Sequence, residues 1–304
     1  MIGKPVNEQA IEKKQAKIHY FNHAQTVKKP VMKNLFEFAE ACLHRPSIDE
    51  KLALSHYARH LLLNGALDLA EDRPLLPIAS VKFPDKPELL APRYMPARKL
   101  TTTDGVTAFF HAIAHVEFVA IYLAWDIVYR FRGMPKQFYQ DWLRVADEEA
   151  QHFELIRNHL RTRSIDYGDL PAHSGLWEHA IATADDLLAR LAMVPRCMEA
   201  RGLDVTPAII EKFKVLGDDD SVAILSRILT DEVGHVESGS YWFKFVCRQK
   251  GFEPEAKYRQ LITHYFKGGK PKGPFNREMR IIAGFSNAEL DWLETHGNEN
   301  TKYF

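Results

Sequence analysis

The run from Leu225 to Val246 constrains this chain more than any other stretch. Val222, Leu225, Ile228, Leu229, Val236, Trp242, Phe243 and Val246 recur at three-and-four spacing, the stripe that a helix turns toward a core. Glu232 and His235 fall on the same stripe. A carboxylate buried there without a partner would cost several kcal/mol, roughly, so it must either take up a proton or meet a cation. The Glu-x-x-His spacing sets both side chains on one helix face, one turn apart, where they can grip a single metal ion.

A motif this short carries little alone, and its placement carries more. A second Glu-x-x-His runs from Glu149 to His152. Glu117 stands 32 residues before Glu149, and Glu199 stands 33 residues before Glu232, so the layout repeats at offsets of 82 and 83. We read an internal duplication of a metal-binding helix pair. In the first copy, one helix is expected over about Asp104 to Phe131, buried nearly all round, with Glu117 amid Val106, Phe110, Ile113, Ala120, Ile121, Ala124 and Val128. Its partner is expected over about Gln137 to Arg161, burying Phe138, Trp142, Val145, Ile156 and Leu160 on the face of Glu149 and His152. Gly133 lies sixteen residues from both Glu117 and Glu149, so a hairpin turning there sets the two carboxylates at one height.

The second copy reads as less regular. A third helix is expected from Leu176, burying Ile181, Ala184, Leu188 and Leu191, with a kink at Pro195 one turn before Glu199. Gly202 to Pro207 reads as a break, followed by a short helix to the turn at Gly217–Asp220. Gly234 and Gly239 each cost the fourth helix about 1 kcal/mol against alanine, a cost that close packing or room for a small molecule would offset.

Elsewhere the chain supplies cover. Residues 1–33 read as an N-terminal extension whose Lys13, Lys14, Lys17, Lys28, Lys29 and Lys33 form a solvated face. Residues 34–100 read as two short helices, near Val31 to Leu43 and from Ser47 with Glu50 as its capping box, then a proline-rich extended strap over Pro74–Pro96. Residues 101–250 form the bundle. Residues 162–176 are a connection, about 45 Å long if extended. Residues 251–304 add helices near Glu255–Phe266 and Asn287–Thr295, the latter capped by Ser286 with Glu289, around a basic glycine-rich loop over Lys267–Arg280.

Composition narrows the classes. Forty basic and forty acidic residues cancel, which points away from nucleic acid and from anionic membrane as partners. Cys42, Cys197 and Cys247 lie far apart without a Cys-x-x-Cys, as suits a reducing cytoplasm and not a disulfide framework or zinc knuckle. The polar start, Met1 to Ala10, holds no apolar signal core. Ala112 to Trp125 is the nearest thing to a membrane span and is short and interrupted by His115 and Glu117.

Glu117, Glu149, His152, Glu199, Glu232 and His235 are the ligand set of a carboxylate-bridged dinuclear site in a four-helix bundle. Mixed oxygen and imidazole donors suit iron or manganese, as two iron ions, an iron–manganese pair or two manganese ions. The stretches HAIAHVEFVAIYLAWD, ADEEAQHFELI, YGDLPAH, LLARLAMVPRCMEARGLDVTP, ILTDEVGHVESGSYWF and GPFNREMRIIAGF resemble a family catalogued as domain of unknown function 455, within the ferritin-like superfamily. The resemblance spans roughly Leu75 to Phe285 and implies an all-α, ferritin-like four-helix bundle with added N- and C-terminal helices, and a metal, but no particular reaction. The tRNA-hydroxylating di-iron enzymes of that superfamily are an analogy at fold level.

Glu148 and Asp231 precede the two chelating glutamates. This resembles oxygen-activating di-iron proteins, in which that acid hydrogen-bonds a metal-bound imidazole; the alternative is a solvent-facing helix charge. Asp231 is then expected to reach the imidazole of His152. His111 and His115 are expected to pack or to support the site without ligating, since His115 points away from Glu117. Tyr122 and Tyr241 are redox candidates only if near the metals, and Ile156 stands where a tyrosyl radical would need a tyrosine. The expected function is an oxidase or hydroxylase that activates dioxygen or peroxide, with an organic substrate and electron donor that the sequence does not name. The competing expectations are a metal-sequestering or peroxide-scavenging protein without organic substrate, and a structural bundle without metal.

Overall fold

A computed structural model describes residues 32–71, 74–75, 81–266 and 270–295. Among these residues the fold is all-α, with no strand and only the isolated bridges Asn34–Asp68 and Leu89–Ala172. The extension up to residue 31 with its lysines, residues 76–80 of the strap and residues 267–269 of the basic loop lie outside the described residues; Lys33 is exposed. The chain divides into two compact units. One holds the described residues up to Leu89 together with His111–Ala172, and the other holds Leu90–Phe110 and His173 onward.

The first unit is built on a helical hairpin. Helices α1 (Leu35–His44) and α2 (Ile48–Leu63) come first, and α3 (Thr103–Arg130) and α4 (Lys136–Arg161) form the hairpin, α3 entering this unit at His111. Asn34 caps α1 by accepting from the Phe36 amide at 2.9 Å, and Ser47 caps α2 by accepting from the Glu50 amide at 3.3 Å. Gly133 turns the hairpin at φ +73°, a region that a side chain disfavours. Phe118 on α3 meets Phe153 on α4 with ring centroids 5.1 Å apart. At 28 residues α3 is long and apolar enough to cross a bilayer, longer than the apolar run alone suggests. Yet 78% of its most apolar window is buried inside the protein, which a core helix satisfies as well.

Connection 162–176 is pinned rather than slack. The Tyr167 hydroxyl lies 2.8 Å from His115 Nδ1, and the amides of Gly168 and Leu170 donate to His111 Nε2 at 3.0 and 3.4 Å. Burial pushes the His111 imidazole down to about 4, against the nearby Asp169 and Asp166, which keeps it the neutral acceptor those amides need. The two histidines therefore anchor the YGDLPAH stretch.

The second unit holds α5 (Gly175–Ala182), α6 (Leu187–Met193), a π-helix (Val194–Glu199), α7 (Ala200–Leu216), α8 (Asp219–Gln249), α9 (Pro254–Tyr265), α10 (Arg277–Ile282) and α11 (Asn287–Thr295). Three expectations need correction here. The third helix is not continuous from Leu176, because Asp186 caps a new helix by accepting from the amides of Leu188 and Ala189. The change of phase leaves Ile181 63% exposed instead of buried. Gly202 to Pro207 is no break, since α7 runs through both residues with Leu203, Ile210 and Phe213 buried along one face. Pro195 widens the backbone into a full π-helix rather than a simple kink. A Cβ on Gly239 of α8 would stand 2.5 Å from Pro195 Cβ, so close packing accounts for that glycine. At the far end Ser286 and Glu289 form the expected capping box, with bonds of 3.1 and 2.9 Å.

Candidate metal centre

The hairpin brings Glu117, Glu149 and His152 together, with one ligand atom from each lying within 4.8 Å of the others. All three side chains are buried. His152 Nδ1 faces both acids, 3.3 Å from Glu117 Oε2 and 3.5 Å from Glu149 Oε2. Burial, then the charge of Glu149, hold the Glu117 carboxyl well above the usual carboxylate range, and His152 opposes them only in part. A cation between the acids would reverse that strain. Donor atoms bonded to one ion at about 2.1 Å stand about 3.0–3.4 Å from each other, close to the spacing found here. The donor set thus fits a divalent metal.

The second unit repeats part of this arrangement. His235 Nδ1 lies 3.5 Å from Glu232 Oε1, the same nitrogen at the same distance as in the first Glu-x-x-His. His235 is fully buried and Glu232 nearly so. Glu199 stands half-buried at the last residue of the π-helix.

The acids before the chelating glutamates have partners on their own helices. Arg144 Nη1 donates to Glu148 Oε2 at 2.8 Å, and Arg227 Nε lies 2.8 Å from Asp231 Oδ2. Both acids are mostly buried, at 17% and 15% side-chain exposure, so neither is a plain solvated charge. The repeat therefore extends to Arg-x-x-x-acid-Glu-x-x-His in both halves, every member offset by 83 residues. The two arginines were legible in the sequence at the same offset as the ligands.

Tyr122 donates to the Lys82 carbonyl at 2.7 Å beneath the Lys51 ammonium, 3.8 Å from its ring centroid, and Tyr241 is 52% exposed.

Sequence reasoning passed over His56. Buried on α2, it lies 2.6 Å from Asp147 Oδ1 through Nδ1 and 3.4 Å from Glu154 Oε2 through Nε2, both acids on α4. No sequence signal joins residues 91 apart. Burial alone would lower its pKa, but the bonds to Asp147 and Glu154 raise it to about 10. The folded value exceeds the unfolded one, so this stabilisation is complete below about pH 6.5 and is lost as pH rises toward about 10. Lys51 acts in the opposite direction, since burial lowers its ammonium to about 8 and stability recovers above that pH. The interval from pH 6.5 to 8 therefore isolates His56. Over it, urea unfolding should show the wild type losing stability relative to His56→Gln by up to about 1.4 kcal/mol per pH unit. Parallel pH profiles for the two proteins would contradict this.

The chain, all-α among its described residues, belongs to the family described as "Protein of unknown function (DUF455)", whose family model matches residues 44–291. A protein of Haemophilus influenzae named "Uncharacterized protein" is 45% identical over 218 residues, which cover 69% of this chain and 75% of that one. No solved structure matches the chain.

Proposed function

We propose that the chain is a ferritin-like, carboxylate-bridged dinuclear metal protein that acts as a dioxygen-activating oxidase or hydroxylase. The observation that carries the reading is the buried convergence of Glu117, Glu149 and His152, matched in the second half by Glu232 with His235. Glu117, Glu149, His152, Glu232 and His235 would hold the metals, with Glu199 supplied as the sixth ligand by the duplicated spacing. Bound iron, or manganese in its place, would supply the electrons that dioxygen reduction needs.

The protein's own groups set the terms of that chemistry. His152 and His235 direct Nδ1 toward their glutamates, which makes Nδ1 the ring nitrogen that would meet a metal. Burial of Glu117 and Glu149 excludes water and strengthens their hold on a cation. Arg144 and Arg227 pair with Glu148 and Asp231 on their own helices, and an acid so held would accept a hydrogen bond from an imidazole N–H turned away from metal. Such a bond would tune a bound metal for oxygen chemistry, a tuning that storage of metal does not call for.

Asp231→Asn keeps size and removes charge. The variant should hold its metal, while dioxygen consumption by the reduced protein falls by about 10-fold or more. An oxygen electrode gives the rate. An unchanged rate would remove the role of Asp231, and a wild type that consumes no dioxygen would leave a metal-binding protein.

A further inference from the structure

The two halves differ at the residue that leads each. Glu117 stands in regular helix, whereas Glu199 closes a π-helix, and a π-turn shifts every later side chain around the axis. Something must fix that turn in one register. Two buried ion pairs reach it from the C-terminal segment. Arg196, inside the π-helix and without exposed surface, donates to both Glu289 oxygens at 2.8 and 2.9 Å. Its Nε donates to Ser240 at 3.2 Å, its guanidinium lies 4.4 to 4.8 Å from three aromatic rings, and its carbonyl accepts from Tyr258 at 3.2 Å. On the other side of Glu199, Arg280 grips both Asp204 oxygens at 2.8 and 2.7 Å and donates to the Ala200 carbonyl at 3.4 Å.

Buried ion pairs are weak devices for stability, because apolar side chains of like volume often serve as well or better. They are better at specifying one arrangement. We propose that residues 276–293 form a positioning clamp for Glu199, in which Glu289 and Arg280 hold the backbone on either side of it and so set where its carboxylate points. The clamp rests on the reading of Glu199 as a metal ligand. It gives the GPFNREMRIIAGF stretch, remote in sequence from every ligand, a share in building the site.

The test uses the full-length, metal-free chain with cobalt(II) as a spectroscopic probe. Glu289→Gln keeps the length and capping ability of the side chain and removes its charge. Amide exchange over residues 194–203 should quicken by about 10-fold or more, while residues 111–160 keep their protection. One of two cobalt binding steps should weaken by about 10-fold or more, with the other unmoved. Wild-type exchange and wild-type cobalt binding would overturn the clamp. So would faster exchange with unchanged cobalt binding, which makes the pairs merely structural. Glu199→Ala separates the two layers: if it loses a cobalt and Glu289→Gln does not, only the clamp falls, and if it binds as wild type, the ligand reading falls and takes the clamp with it. Should Glu289→Gln fail to fold, the apolar pair Arg196→Met with Glu289→Leu is read in the same way.

Discussion

Arg280→Met is expected to lower the free energy of unfolding by about 3 kcal/mol, the low end of what breaking a buried ion pair costs. Methionine keeps most of the volume and can settle against Phe275 and Phe285, whose rings the guanidinium now faces at 5.1 and 4.9 Å. What remains is the Asp204 carboxylate, whose side chain is fully buried. Two of its other partners survive, the Asn276 amide at 2.9 Å and Arg201 Nη1 at 3.3 Å, which is why the low end applies. Adding Asp204→Asn removes the stranded charge while leaving an oxygen for the Asn276 amide. The double variant should therefore regain most of the loss, a coupling of more than about 1 kcal/mol. Urea midpoints of the wild type, both single variants and the double variant measure it. Additive losses would mean that the two residues do not act as a pair.

The parts of the fold that repeat locally were legible in the sequence. Apolar periodicity and Gly133 sufficed for the α3–α4 hairpin, and equal spacing from that turn foretold that Glu117 and Glu149 would meet. The capping boxes at Ser47 and Ser286 were legible for the same reason, since a cap is decided within four residues. The third helix was not. Its stripe assumed one phase from Leu176 to Leu191, and the Asp186 cap resets that phase. The buried Arg190 then ties the break together, through Thr183 Oγ1 at 2.9 Å and the Ala180 carbonyl at 2.6 Å.

Long-range polar partners were the least legible. The partnership of His56 with Asp147 and Glu154 depends on which helices meet, and periodicity says nothing about that. The same holds for Arg196 with Glu289, 93 residues apart, and for the histidines that pin residues 167–170. Pro195 signalled a disturbance one turn before Glu199 but not its form. A π-helix needs a neighbour that tolerates the wider turn, and Gly239, also visible in the sequence, supplies that tolerance only once α8 is known to lie against it. The Arg144 and Arg227 pairs stand between these cases: the repeat contained them, at an offset already in hand.

The most direct test of the account is the metal content of the protein and of Glu232→Leu, each purified from iron-supplemented cells and measured by elemental analysis. The wild type should carry about two ions per chain, iron, manganese or both. Replacing a nearly buried carboxylate with an apolar side chain removes a proposed ligand without leaving its own charge unpaired, so Glu232→Leu should stay soluble and helical while its metal content falls far below that of the wild type. A wild type with almost no iron or manganese, or a folded Glu232→Leu that keeps two ions, would contradict it.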